Sequence, residues 1–109
     1  MDRRVAAVFA AVRERPDLDV AHLAASVNLS ISRLRHLFRL ETSLRLGQHL
    51  KHRRLLLAQR LLTTTFLSVK EVAVASGFTN TSQFTRQFRA AFAFSPGEYR
   101  RREPSNQLD

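Results

Sequence analysis

Leu46–Thr63, LGQHLKHRRLLLAQRLLT, decides how the rest of this chain is read, because the pattern that precedes it returns after it. The stretch has no Gly or Pro beyond its first turn. Leu46, Leu50, Leu57, Ala58, Leu61 and Leu62 recur at helical steps, while Lys51, His52, Arg53, Arg54 and Arg60 mostly point elsewhere. The spacing predicts one rigid helix of roughly 27 Å at about 1.5 Å per residue.

The segments on either side of this strut resemble each other. Val20–Leu50 pairs with Val69–Arg100 at an offset of 49, which becomes 50 after one extra residue near Asn80. Leu23 pairs with Val72, Ala24 with Ala73, Asn28 with Gly77 and Leu29 with Phe78. After the slip, Phe38 pairs with Phe88, Arg39 with Arg89, Gly47 with Gly97 and Gln48 with Glu98. Two copies make a duplicated module and not a solenoid.

Each copy reads as two short helices around a polar turn. A first helix is expected over Asp2–Arg15, with Val5, Val8, Phe9 and Val12 inward and Pro16 ending it. Asp19 caps a second, Val20–Ser26, with Val20, Leu23, Ala24 and Val27 inward. Asn28-Leu29-Ser30 then breaks the pattern, and Ser30 caps a third helix over Ile31–Thr42, whose Ile31, Leu34, Leu37 and Phe38 are expected in the core. After the strut, Thr65 or Ser68 caps a helix over Val69–Ser76, with Val69, Val72, Ala73 and Ala75 or Ser76 inward. Gly77 ends it, and Thr79-Asn80-Thr81 caps a helix over Ser82–Ala91 that buries Phe84, Phe88 and Phe92. Ser95-Pro96-Gly97-Glu98 opens a last short helix anchored by Tyr99, and 103–109 reads as a frayed tail. Sustained β-branched alternation is missing, so the fold class is all-α: seven helices, two helix-turn-helix units joined by a long central helix, divided as residues 1–54 and 55–109.

Charge is unevenly placed along the 109 residues, whose net charge is +9. Residues 1–27 balance four basic against four acidic side chains. Residues 28–102 carry fourteen Lys and Arg against Glu41, Glu71 and Glu98. The excess therefore belongs to the duplicated part and implies a polyanionic partner, of which nucleic acid is the commonest. On the helix over Ile31–Thr42 the outward face carries Ser32, Arg35, His36 and Arg39. Its counterpart carries Ser82, Thr85, Arg86 and Arg89. Such a helix fits the major groove, where Arg and His can donate to guanine N7 and O6.

The absence of Cys excludes a disulfide framework and a zinc finger. His49 and His52 have metal-like spacing but no neighbouring Cys or acid to complete a site. No paired carboxylates, nucleophile elbow or phosphate-binding glycine loop appears, so neither catalysis nor a cofactor is expected. No apolar run is long enough for a membrane span, and a cytoplasmic, nucleoid-associated protein is expected.

GFTNTSQFTRQFRAAFAFSPGEYR (77–100), preceded by RRLLLAQRLL and VKEVAVAS, closely resembles the C-terminal signature of AraC-type transcription regulators. The resemblance covers residues 20–102. It implies a homeodomain-like pair of units inserting two recognition helices into consecutive major grooves of double-stranded promoter DNA, with activation of transcription and contact with RNA polymerase as family traits. It places base contacts on Ser32, Arg35 and His36, and on Thr81, Ser82, Gln83 and Arg86; phosphate contacts fall on Arg33, Arg39, Thr85 and Arg89. Ser43 and Ala93 stand where the family often has Gly, Leu46 where it often has Pro, and His49 where it often has Tyr. A non-Gly residue at positive φ costs about 1 kcal/mol, so both recognition helices are expected to end differently from the family's.

With two recognition helices in one chain, a monomer suffices to cover two grooves. A chain of this kind either stands alone or forms the DNA-binding end of a longer protein. The alternative reading is nonspecific nucleic-acid binding or chromosome packing; a basic membrane-surface protein is the third, against which the cap at nearly every helix start argues.

Overall fold

The computed structural model describes residues 1–102, and the expected frayed tail lies outside them. Among the described residues seven helices follow one another: α1 Arg3–Glu14, α2 Val20–Ser26, α3 Ile31–Thr42, α4 Leu46–Thr64, α5 Val69–Ala75, α6 Thr81–Phe92 and α7 Pro96–Arg102. No strand occurs among the described residues. They divide into two compact units, Met1–Arg53 and from Arg54 onward. The first turns of α4 contribute to the core of the first unit and its later turns to that of the second.

Capping by small polar side chains fixes where the short helices begin. Asp2 accepts from the Arg4 amide, Asp19 from His22 and Ser30 from Arg33. Ser68, and not Thr65, starts α5, with Ser68 Oγ accepting from the Glu71 amide and Glu71 Oε1 accepting from the Ser68 amide at 2.8 Å. Asn80 Oδ1 accepts from Gln83, so Thr81 is the first residue of α6 and not part of the turn before it. Such caps are worth about 1 kcal/mol each.

The first core gathers Val5, Val8, Val12, Leu23, Ala24, Leu34, Phe38, Leu46 and Leu50. Phe9 and His49 stack at 4.8 Å, and Phe38 lies 5.8 Å from the same imidazole. His49 thus takes the place that Tyr99 takes in the second unit, where the phenol meets Phe88 edge-on at 5.5 Å. Gln59 Nε2 donates to Tyr99 Oη at 2.7 Å, and Arg100 Nε donates to the Leu62 carbonyl at 2.9 Å, tying α7 to the end of α4.

Some expected core positions lie elsewhere. Ile31 is 42% exposed, because the first residue of α3 precedes the turn that meets the core. On α4, Leu57 and Leu61 are half-buried, and Leu55, Ala58 and Leu62 are the buried residues of the second unit. The step from Leu50 to Leu55 is five residues, so a single helical stripe drawn from Leu46 misses Leu55. Ser76, not Ala75, is the buried residue at the end of α5, and its hydroxyl has no hydrogen-bond partner among the described residues.

Asn28, Ser43, Gly77 and Ala93 adopt positive φ at 59°, 63°, 98° and 72°. Ser43 and Ala93 therefore enter the left-handed conformation despite their Cβ atoms, and both α3 and α6 keep the C-terminal turn that Gly would favour. We expect Ser43→Gly and Ala93→Gly each to raise the unfolding free energy by up to about 1 kcal/mol in urea titration, the gain being trimmed by the greater freedom of Gly in the unfolded chain. A loss of stability in both would show that neither residue is strained.

His49 supplies a pH dependence. Burial, together with the positive charges of Arg53 and His52, holds its pKa below the ordinary 6.5. The unfolded chain then takes up the proton first, so the stability that His49 contributes is fully present above pH 6.5 and is lost as pH falls from there through the lower pKa of the folded state. Wild-type protein should lose more thermal stability between about pH 7 and pH 5 than His49→Tyr. Parallel pH curves would refute this.

Candidate nucleic-acid interface

Helices α3 and α6 are the second helices of two helix-turn-helix units, and each is anchored by one face. Leu34 and Phe38 are fully buried on α3, and Phe84 and Phe88 on α6. Taking about 100° per residue, the direction opposite Leu34 and Phe38 is that of His36, with Ser32 and Arg39 within about 60°. The direction opposite Phe84 and Phe88 is that of Arg86, with Ser82, Gln83 and Arg89 similarly close.

The expected contact residues are distributed accordingly. Ser32, Arg33, Arg35, His36 and Arg39 are all exposed on α3; Thr81, Ser82, Gln83, Arg86 and Arg89 are exposed on α6, and Thr85 is half-buried. Arg35 and its counterpart Thr85 sit on the flanks of their helices, about 80° from the core direction rather than on the crest. Arg35 reaches back toward the start of α4: a Cβ placed on Gly47 would lie 3.9 Å from Arg35 Nη1. Arg35, His36, Arg39, Arg45, Leu46 and Gly47 together line an open hollow of about 290 Å³ in the first unit. Arg45 is absent from the sequence-based set, since it lies outside every helix and only its place in the lining of the hollow marks it.

Charge pairing differs between the units. Arg89 Nη1 lies 3.8 Å from Glu98 Oε1. Among the described residues no carboxylate stands within ion-pair distance of Arg35, Arg39 or Arg45. Glu98 also accepts from the Ser95 amide at 3.1 Å, and this hydrogen bond is the leading cause that holds its pKa below the usual carboxylate value. No group of three or more His, Cys, Asp or Glu side chains able to hold a metal ion occurs among the described residues. No helix among them is long and apolar enough to cross a membrane.

Two helix-turn-helix units, each with a polar and cationic second helix turned to solvent, define a double helix-turn-helix protein. A family profile for a helix-turn-helix domain matches residues 23–102. The transcriptional activator NphR of Rhodococcus sp is 40% identical over 86 residues, covering 78% of this chain and 25% of NphR. The regulatory protein SoxS of Escherichia coli K12 is 38% identical over 69 residues, 63% of this chain and 64% of SoxS. The crystal structure of the DNA-binding domain of AdpA in complex with a target DNA superposes with a TM-score of 0.77 at 35% identity, covering 92% of each chain. The chain belongs to the AraC-type family of DNA-binding transcription regulators. It spans about a quarter of the length of NphR, so the match concerns a domain of that relative and not the whole of it.

Proposed function

We propose that this chain reads a specific double-stranded operator with α3 and α6 as its two recognition helices, and that it regulates transcription, by preference as an activator. The observation that carries this reading is the pairing of a buried aromatic face with an exposed polar and cationic face on both second helices, within a segment where fourteen basic residues meet three acidic ones. Ser32, Arg35 and His36 of the first unit and Thr81, Ser82, Gln83 and Arg86 of the second are assigned to base edges; Arg33, Arg39, Thr85 and Arg89 are assigned to phosphates. Arg86 lies on the crest of α6 and is suited to bidentate donation to guanine, which discriminates by about 1 to 3 kcal/mol per base pair. Groove insertion by both units in a monomer, a promoter-bound location in the cytoplasm and contact with RNA polymerase belong to the same reading. It assigns the chain a binding role, with no reaction or cofactor.

Nonspecific binding to nucleic acid shares the electrostatics but predicts no preferred site. Selection of bound sequences from a random duplex pool at stated salt tests the choice: enrichment of one motif is expected, and a pool that stays random would overturn the reading. Given such a motif, Arg86→Ala should relax preference at one or two base pairs and cost about 1 to 3 kcal/mol on the selected duplex, with little effect on random DNA. Arg89→Ala should weaken both duplexes alike and lower the salt slope by about one. Equal weakening on both duplexes by Arg86→Ala would remove it from the base-reading set.

A further inference from the structure

The two units handle one position of their internal repeat in opposite ways. In the second unit the approach to α7 carries Ser95 and Glu98. These exchange hydrogen bonds with each other's amides at 3.1 and 3.2 Å, and Glu98 also lies beside Arg89. A carboxylate thus stands against the cation of the recognition helix there. In the first unit the counterparts of Ser95, Glu98 and Arg89 are Arg45, Gln48 and Arg39. The carboxylate is replaced by a neutral amide and the capping hydroxyl by a second guanidinium. Arg45 carries donors alone and cannot accept from the first amides of α4.

The result is a concave cationic site. Arg35, His36, Arg39, Arg45, Leu46 and Gly47 line it, and its volume of about 290 Å³ opens to solvent. Gly47 adds no side chain to the lining, and a Cβ placed on it would lie 3.9 Å from Arg35 Nη1. Arg35, Arg39 and Arg45 border one hollow with no carboxylate within ion-pair distance of them among the described residues, and a guanidinium offers an oxyanion several N–H donors in a planar fork.

We infer that this hollow at the junction of α3 and α4 in the first unit clasps a phosphodiester of the DNA backbone. The inference rests on the reading that the chain binds duplex DNA, and it adds Arg45 and Gly47 to the interface. Arg35 borders both the hollow and the recognition face, so a phosphate seated there fixes how far α3 enters the groove. Gln48 marks the difference between the units, because Glu98 stands at its counterpart.

The test is to measure binding against salt concentration for the wild type, Arg45→Ala and Gln48→Glu, using both a selected duplex and random DNA. Each variant should bind more weakly at low salt, with the slope of log affinity on log salt reduced by about one and the preferred sequence unchanged. Gln48→Glu should keep or raise the thermal midpoint, because an acid in the first turn of a helix suits its dipole; its effect is therefore separable from misfolding. Unchanged slopes and affinities in both variants would overturn the inference. Failure of the selection experiment would sink the operator reading while leaving this site testable by its slope on random DNA. Inorganic phosphate provides the other arm: a phosphorus-31 line broadened by the wild type but not by Arg45→Ala, with no change in the DNA slope, would assign the hollow to free phosphate and reject the backbone contact.

Discussion

Each recognition helix can hold a polar face toward solvent because its other face is locked into an aromatic core. Phe38 packs against Phe9 and His49, while Phe88 packs against Phe84, Phe92 and Tyr99. A fully buried Phe contributes on the order of 2 kcal/mol from its area alone, and its ring admits few orientations. The helix is thus fixed in rotation about its own axis. A turn of one residue would move a core Phe by about 100° and carry His36 or Arg86 off the crest. Core packing therefore sets which side chains a groove would meet.

The same positions carry different chemistry in the two halves. Tyr99 meets Phe88 edge-on, and its hydroxyl is held by Gln59. His49 fills the equivalent space in the first unit with a smaller, titratable ring stacked on Phe9. A half-buried imidazolium there would lose part of its hydration and sit near Arg53 and His52, which holds the pKa of His49 below its ordinary value.

Much of the architecture was legible in the sequence, and the reasons are local. Asp19, Ser30 and Asn80 each sit one residue before a helix and accept its early amide, a signal that depends on neighbours in the chain alone. The duplication made α6 readable from α3. What the sequence did not give was the azimuth of α4 in its second half, where a step of five residues carries the buried set to Leu55. Periodicity presumes one partner surface per helix, and α4 serves two cores. Arg45 was missed for a related reason: it lies between helices, and its proximity to Arg35 and Arg39 arises only when α3 and the start of α4 fold together. The left-handed turns at Ser43 and Ala93 show the converse, in which backbone geometry prevails over residue preference because the following helix must leave in a fixed direction.

The acidic residues explain why a net charge of +9 can act as a focused field rather than a diffuse one. Residues 28–102 contain three carboxylates, and each accepts from a backbone amide at a helix start: Glu41 from Asp2, Glu71 from Ser68 and Glu98 from Ser95. For Glu71 and Glu98 this bonding is the leading cause that keeps the pKa low and the group ionised. Placed at a helix N-terminus, an acid offsets the partial positive charge of the helix dipole. An acid on the crest of α3 or α6 would instead repel a polyanion within one Debye length, about 8 Å at physiological salt. The duplicated segment thus uses its acids to begin helices while the cations of α3 and α6 stay exposed, so folding and polyanion attraction draw on separate charges that do not cancel one another.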